Sequence, residues 1–213
     1  DSYSHIRLLN GNGLPVDLPF LELGEELWDR EGKRLTLLFD PGRIKSGLKP
    51  RLDQGMALLE GEVYTLQILD TWKDANGQPL KRVFRKSFTA IAPDVESPSL
   101  DNWKLATPKA NSGTALRIKF PEALDEALLR RVLIVIDAKD RGVEGSVTVE
   151  NGERAWSFNP SQSWSKGSYR VRVETILEDL AGNSLGRPFE VEMRSSQEHL
   201  RPERYSYLEF EVE

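Results

Sequence analysis

Cysteine is absent from the 213 residues of the chain. Its absence excludes disulfide bonds, thiol catalysis and cysteine-ligated metal sites. It leaves the compartment open, because cysteine-free chains suit the cytosol and are also common among bacterial surface proteins. Histidine is nearly as scarce, with His5 near the start and His199 in a polar segment. These two residues provide no pair at metal-ligand spacing and no base for a catalytic triad.

Long apolar runs and basic stripes are also lacking. The longest apolar run, residues 132–136, is far too short to cross a bilayer. A net charge of -5, with both signs interspersed, argues against a nucleic-acid-binding surface. We therefore expect no membrane insertion of this chain and no nucleic-acid partner. The first ten residues show no secretion signal, so a signal either does not exist or has been removed.

Motifs for catalysis are missing as well. There is no Gly-x-Ser-x-Gly and no phosphate-binding loop, and GNGLPV lacks the third glycine of a dinucleotide-binding fingerprint. Carboxylate pairs such as Glu25 with Glu26, or Glu122 with Asp125, could serve a glycosidase. Among 34 acidic residues such pairs arise by chance, so we interpret them as solvated surface. We expect no catalytic residue, no cofactor and no bound metal, and hence no enzyme.

One phrase occurs twice, as WKDANGQPL at residues 72–80 and as LEDLAGNSL at residues 177–185. The similarity extends outward, because a tyrosine precedes each aspartate by ten positions and a leucine follows it by six. The recurring residues are Tyr64, Asp74, Gly77 and Leu80 in the first copy and Tyr169, Asp179, Gly182 and Leu185 in the second. Upstream, LTLLFDP aligns with RAWSFNP, and residues 10–13 align with residues 137–142. Self-similarity of this extent predicts two copies of one domain.

The repeated phrase has the chemistry of a structural corner. An aspartate accepts hydrogen bonds from backbone amides about two residues on, and the glycine tolerates a positive φ. Leu80 and Leu185 are then expected to return to the interior. Calcium binding is the alternative, since Asp, Asn and carbonyl oxygens are suitable ligands, but neither copy has the spaced carboxylates of a dedicated loop. We interpret the eight recurring residues as structural.

The periodicity within each copy is that of β-strands. In YRVRVET, residues 169–175, one face collects Tyr and Val and the other collects Arg and Glu, and YTLQI, LRIKF, FEVEM and LEFEVE alternate likewise. Only residues 122–131 have a helical pattern. Turn-rich, strand-rich copies of about 100 residues predict antiparallel β-sandwiches. We expect one at 1–93 with an insert at 42–57, a linker at 94–102, and a second at 103–213.

Two long stretches carry a family resemblance, GEVYTLQILDTWKDANGQPLKRVFRKSF and KGSYRVRVETILEDLAGNSLGRPFEVEM. Both resemble the closing half of the bacterial Ig-like domain of the S-layer-protein type, which implies an all-β chain of two tandem immunoglobulin-like sandwiches. The second copy also has the opening strand, LRIKFPEALD. The first copy has an insert and begins at what would be the second strand. We expect it to lack its opening strand, either because the chain is cut within this domain or because the missing edge comes from elsewhere.

The resemblance implies a non-catalytic structural or interaction module of an exported bacterial protein, located outside the cytoplasm. Its partner would be a protein or a polysaccharide at the cell surface. Two alternatives remain open, namely a carbohydrate- or cell-surface-binding module and the accessory domains of a larger enzyme. Exposed, clustered aromatic side chains would favour carbohydrate binding.

Tryptophans and one basic loop are the remaining candidates for a binding surface. Trp72, Trp156 and Trp164 align with leucines of the other copy, so we expect them in the core, whereas Trp103 follows the linker and is expected to wedge the two domains together. Trp28 has no aligned partner and precedes a turn, which makes it the best surface candidate. The insert adds basic side chains that are either a contact loop or a solvated loop. The candidate surface comprises Trp28, Arg43, Lys45, Lys49 and Arg51.

Overall fold

The structure is a computed structural model that describes residues 2–44, 55–186 and 203–213. The chain divides into two compact units, Asp1–Pro93 and Asp94–Glu213. The described residues form twelve strands. The strands are β1 (Ile6–Leu9), β2 (Leu27–Trp28), β3 (Leu35–Thr36), β4 (Val63–Ile68), β5 (Phe84–Thr89), β6 (Lys104–Ala106), β7 (Leu116–Lys119), β8 (Leu133–Asp137), β9 (Gly145–Glu150), β10 (Ala155–Pro160), β11 (Gly167–Glu174) and β12 (Tyr205–Val212).

Helical structure is limited to single turns. The α-helical turns are α1 (Pro41–Ile44) and α2 (Glu126–Leu129), and 3-10 turns span Tyr3–His5 and Leu100–Asn102. The side chain of Asp125 caps α2 by accepting a hydrogen bond from the Leu128 amide at 2.8 Å. The pattern at residues 122–131 therefore forms one short helix, and none of the described helices is long and apolar enough to span a membrane.

The first unit contains a three-stranded antiparallel sheet in the order β1-β4-β5 and a two-stranded sheet of β2 and β3. An isolated bridge between Phe20 and Phe39 extends the pairing near β3. Among the described residues of this unit the core is small, with five buried residues at its centre. These residues are Ile6, Leu8, Phe20, Tyr64 and Ala90.

The second unit contains two antiparallel sheets, ordered β6-β7-β10-β9 and β12-β11-β8. Alternation decides which side chains lie between them, since Leu116 and Ile118 of β7 are buried whereas Arg117 and Lys119 are exposed. Both sheets contribute to one core of 17 buried residues, which extends from Trp103 to Val212. The predicted strands LRIKF, YRVRVET and LEFEVE are confirmed as parts of β7, β11 and β12.

The strand orders of the two units are similar. The order β1-β4-β5 recurs as β8-β11-β12, and the hairpin β2-β3 recurs as β9-β10. In the second unit β10 also pairs with β7, with Phe158 opposite Leu116. Within the described part of the first unit, β3 pairs with no strand other than β2. Within the described residues, the sheet of β2 and β3 therefore has two strands, whereas its counterpart in the second unit, β6-β7-β10-β9, has four.

Trp103 does not have the expected position. It is 7 % exposed, and its ring meets that of Phe120 edge-on with centroids 4.6 Å apart. Its indole belongs to the core of the second unit, where burial of a large aromatic surface is favourable. Residues 94–102, expected to act as a linker, are grouped with this unit. Pro98 is buried and Leu100 packs against the core.

The other core predictions have mixed outcomes. Trp156 and Trp164 are buried in the second unit, as predicted. Trp72 is only partly buried, although it packs against the core of the first unit. The predicted strand FEVEM at 189–193 lies outside the described residues, as does most of the connection that precedes β12.

Candidate functional site

The first copy of the repeated phrase folds as a tight turn after β4. Asp74 Oδ1 accepts hydrogen bonds from the amides of Asn76 and Gln78 at 2.8 and 2.9 Å. Gly77 has a φ of 78°, which glycine adopts at little cost. The Leu80 amide closes the corner on the Trp72 carbonyl at 3.0 Å. The aspartate therefore satisfies backbone donors that the turn would otherwise leave unpaired.

The second copy has the same geometry. Asp179 Oδ1 accepts from the amides of Ala181 and Asn183 at 2.8 and 2.9 Å. Gly182 has a φ of 89°, and the Leu185 amide donates to the carbonyl of Leu177 at 3.0 Å. Both phrases are thus structural corners in the structure, each closed by one carboxylate oxygen.

Two further turns of this type follow β1 and β8. In the sequence, these two segments align with each other but not with the repeated phrase. Asn10 Oδ1 accepts from the amides two and four residues on, both at 3.0 Å. Asp137 Oδ1 accepts from the corresponding amides at 2.8 and 3.0 Å. The positive φ falls on Gly13 in one turn and on Asp140 in the other. The shared signal is an Asn or Asp that ends a strand, with a residue tolerant of positive φ three positions later.

The remaining corner residues differ between the units. Tyr64 is buried, and its hydroxyl accepts from the Leu59 amide at 2.9 Å, whereas the Tyr169 hydroxyl donates to the Ser165 carbonyl at 3.1 Å. Leu185 packs against the core as expected. Leu80 is 41 % exposed, so its predicted return to the interior is wrong. In the described part of the first unit, no second sheet comparable to that of the second unit is present to receive it.

Two polar residues of the turn in the second unit are buried, whereas their counterparts in the first unit are exposed. Asp179 is 4 % exposed and Asn183 is fully enclosed, whereas Asp74 and Gln78 are exposed. Asn183 Nδ2 donates to Asp179 Oδ2 at 2.9 Å and to the Asp94 carbonyl at 3.2 Å. The turn is therefore tied to the segment that begins the second unit.

Three carboxylates meet beside this turn. Asp94, Glu122 and Asp179 each place an oxygen atom within 4.8 Å of the other two. Burial raises the pKa of Glu122, and the negative charges of Asp179 and Asp94 raise it further, against a smaller opposing effect of Arg154. Among the described residues, these are the ones that could hold a metal ion. They supply the hard oxygen ligands that Ca²⁺ takes, although fewer than the roughly six to eight of a full coordination shell.

Sequence reasoning missed this acidic cluster. Its members lie far apart in the chain, and the search for a calcium loop considered only closely spaced carboxylates. Asp94 precedes the first strand of the unit and Glu122 follows β7. Because both are distant in sequence from Asp179, no short motif contains the cluster. The sandwich brings them to the same corner.

An aromatic patch, consisting of His5, Trp28 and Trp72, lies on the first unit. Trp28 is 42 % exposed, and its ring lies 6.1 Å from that of Trp72. The imidazole of His5 stacks on the ring of Trp72, with ring centroids 6.3 Å apart and an interplanar angle of 9°. The indole Nε1 of Trp28 donates to Glu26 Oε2 at 2.8 Å. Hydrogen bonds from Ser2 and then from Trp28 lower the pKa of Glu26 to about 2.

Arg43, the one basic residue of the candidate surface that the structure describes, is buried. Arg43 is 3 % exposed, and its guanidinium donates to the Gly55 carbonyl at 2.9 Å and to the Asp17 carbonyl. It holds the two ends of the insert together and is not available as a contact residue. Lys45, Lys49 and Arg51 lie outside the described residues.

Comparison with known families identifies one part of the chain. Residues 91–195 match the model of the bacterial Ig-like domain, so the chain contains an Ig-like domain in its second unit. Such domains are generally non-catalytic modules and are typically found in extracellular bacterial proteins. No curated protein matches the chain in sequence.

Proposed function

We propose that the chain is a non-catalytic structural or interaction module of an exported bacterial protein. The observation that carries the proposal is the bacterial Ig-like domain at residues 91–195. Modules of this kind space or present other parts of a protein, and the fold by itself does not supply chemistry. The domain would thus act as a rigid β-structured spacer or contact surface and would not carry out a reaction.

The contacts of the polar residues that recur in the sequence support this role. Both carboxylate oxygens of Asp179 accept hydrogen bonds from its own turn, and Asn183 is committed to the same network. Side chains held in this way stabilise a corner, and Asp179 and Asn183 are both committed to it. The polar residues that recur in the sequence are explained by folding.

We further propose that the first unit is also an Ig-like sandwich, that it lacks its opening strand, and that it stands in tandem with the Ig-like domain of the second unit. Both domains would be of the S-layer-protein type. The similar strand order supports this proposal, because β1-β4-β5 corresponds to β8-β11-β12. The domain limits would be 1–93, with the insert at 42–57, and 103–213 after residues 94–102. Phe39 aligns with Phe158, and where Phe158 pairs with Leu116 of β7, Phe39 forms a single bridge to Phe20.

Location can be tested in the bacterium that encodes the protein. Antibodies against the chain should detect a species that added protease degrades in intact cells or in cells with a permeabilised outer layer. A cytoplasmic marker protein must survive the same treatment. Detection of the antigen solely in the protease-protected cytoplasmic fraction would contradict the proposal.

Carbohydrate binding is a second candidate function, favoured by the aromatic patch. Exposed tryptophan rings stack on sugars, and Trp28 is both exposed and clustered with Trp72. Titration of the chain with a panel of polysaccharides should then give a saturable change in tryptophan fluorescence that Trp28→Ala abolishes. Phe84→Ala is the matched control, since Phe84 is an exposed aromatic residue of the same unit. Absence of any saturable change would remove this candidate.

A further inference from the structure

Strand β5 forms an open edge of the sheet in the first unit. It pairs with β4 on one side, and no other described strand pairs with its second side. Residues along a strand bond alternately to its two sides. The Ala90 amide donates to the Glu62 carbonyl at 2.9 Å, so the even-numbered residues of β5 bond toward β4. The backbone groups of Arg85, Ser87 and Thr89 therefore point away from β4, where a further strand could bond to them.

The open edge carries a concentration of positive charge. Residues 81–86 read KRVFRK, and all of the basic side chains in this segment are exposed. Within the described part of the chain, none of them forms an ion pair. When the Gln67 amide is oriented with its oxygen toward Arg85, that oxygen accepts from Nη2 and Nε of the guanidinium at 2.8 and 3.1 Å. This contact restrains Arg85 without neutralising its charge.

The sheet itself supplies no carboxylate to offset this charge. Strands β1, β4 and β5 read IRLL, VYTLQI and FRKSFT, which contain no Asp and no Glu. The row that crosses the sheet from Arg85 continues through Gln67 to Arg7, and the row from Lys86 continues through two leucines. Glu62 and Asp70 lie beyond the two ends of β4. The excess of positive charge along β5 is therefore real at the level of the strand register.

The second unit shows that the fold does not require a basic strand at this position. By sheet order β5 corresponds to β12, which also lies at an edge of its described sheet. β12 carries Glu209 and Glu211 and ends in the segment LEFEVE. Charge on an edge opposes pairing with a second copy of the same strand, and it favours a segment of opposite charge. The basic residues of β5 thus select among partners.

We propose that β5 binds an acidic extended segment of a partner protein, which adds to the sheet as a further strand. The backbone of the segment bonds to the outward groups of Arg85, Ser87 and Thr89, and its carboxylates pair with Arg85 and Lys86. Because these two neighbours project to opposite faces, the segment presents carboxylates on both of its faces. Phe84, 49 % exposed, adds apolar contact on the face of Lys86. The inference rests on the proposed interaction role and names the surface that performs it.

The test uses the whole chain and a fluorescein-labelled peptide of two Glu-Glu-Thr-Thr repeats, with binding followed by fluorescence anisotropy at low ionic strength. The double variant Arg85→Gln/Lys86→Gln should bind about tenfold more weakly than the unaltered chain. The matched control is Arg117→Gln/Lys119→Gln, which removes two exposed basic residues of β7, a strand that is paired on both sides. It should bind within about twofold of the unaltered chain, although it changes the net charge equally.

A second peptide separates strand addition from attraction of charge alone. It has the same sequence but carries N-methyl groups on two consecutive central residues, which removes a backbone donor from each of its edges and leaves its charge unchanged. It should bind about tenfold more weakly than the first peptide. Ser87→Pro makes the corresponding change in the chain, because proline removes an N–H that points away from β4. This variant should also weaken binding.

Four outcomes would overturn the inference. They are the absence of peptide binding, an equal loss of affinity in the two double variants, equal affinity for the two peptides, and self-association of the unaltered chain that Ser87→Pro abolishes. Equal affinity for the peptides would reduce the contact to charge attraction, as for an acidic polysaccharide, and self-association would assign the edge to a second copy.

Thermal unfolding checks that each variant folds. If the double variant does not fold, Ser87→Pro and the N-methylated peptide still decide the outcome. Failure of these tests leaves the protease-accessibility result unchanged, so this inference and the proposed function fail separately.

Discussion

Asp74 and Asp179 make the same pair of hydrogen bonds in equivalent turns. In each case the Oδ1 atom accepts from the amides two and four residues on, at 2.8 and 2.9 Å. The environments differ, because Asp179 is buried and bonded to Asn183 whereas Asp74 is exposed. The same local chemistry should therefore contribute different amounts to stability.

Asp179→Ala should destabilise the second unit more than Asp74→Ala destabilises the first. Loss of Asp179 removes the carboxylate that accepts hydrogen bonds from the backbone amide and the side-chain Nδ2 of the buried Asn183, which costs about 2–3 kcal/mol. Exposed amides recover their bonds from water, so the loss for Asp74→Ala is about 1 kcal/mol. Relief of the repulsion with Glu122 offsets a part of the larger cost. Denaturant unfolding followed by tryptophan fluorescence measures both changes. Equal losses would show that burial of the turn has no energetic consequence.

Glu122→Gln should stabilise the chain at neutral pH. The pKa of Glu122 is raised above 4.5 in the fold by burial and by neighbouring Asp179 and Asp94, so its ionised form opposes folding above that raised pKa. The penalty is lost as the pH falls through the raised pKa toward 4.5. The melting temperatures of variant and parent should therefore differ by a small amount at neutral pH and converge in acid.

The control for the acidic cluster is Glu144→Gln, which removes an exposed glutamate of the same unit. It should change the melting temperature little, because Glu144 is exposed and is not a member of the cluster. A Glu122→Gln variant that is less stable than its parent at neutral pH would mean that the carboxylate makes a favourable contact, and the interpretation of the cluster as repulsive would be wrong.

Trp103→Ala should destabilise the second unit by roughly 3–5 kcal/mol, the usual cost of deleting a buried aromatic side chain. Trp103 lies in the core against Phe120. Trp28→Ala should cost less than about 1 kcal/mol, because Trp28 is largely a surface residue. Unfolding curves of the two variants provide the comparison. A cost for Trp103→Ala no larger than that for Trp28→Ala would contradict the assignment of Trp103 to the core.

The first unit should open more readily than the second. Its described core has five buried residues, against 17 in the second unit, and local stability follows the amount of buried apolar surface. Hydrogen exchange read by mass spectrometry should show faster exchange in peptides that cover β4 than in those that cover β11. Equal protection of β4 and β11 would contradict the prediction that the smaller described core makes the first unit less stable.

Strands and turns were accessible from the sequence because both depend on neighbouring residues. Alternation in LRIKF predicts β7, since side chains of a strand project to opposite faces. The aspartate and glycine of each repeated phrase predict a turn, since the hydrogen bonds span only four residues. In the described residues, β7 and the hydrogen bonds of the two turns lie at the positions of these patterns.

The positions of Leu80, Trp103 and Arg43 were not accessible in this way. Each has a local pattern that is compatible with either burial or exposure, and the outcome depends on residues that are distant in the chain. Leu80 follows the same turn as Leu185 and yet is 41 % exposed, whereas Leu185 packs against the core of its unit. Arg43 is buried because its guanidinium reaches two backbone carbonyls.

The sequence by itself determined the strand-rich composition, the repeated corner and the absence of thiol chemistry, since these follow from residue type and short-range spacing. Tertiary structure alone decided which residues from distant parts of the chain meet. It brought Asp94 and Glu122 to the buried turn at Asp179, and it stacked Arg172 on Tyr205. Proximity in space depends on sheet order and register, which periodicity does not encode.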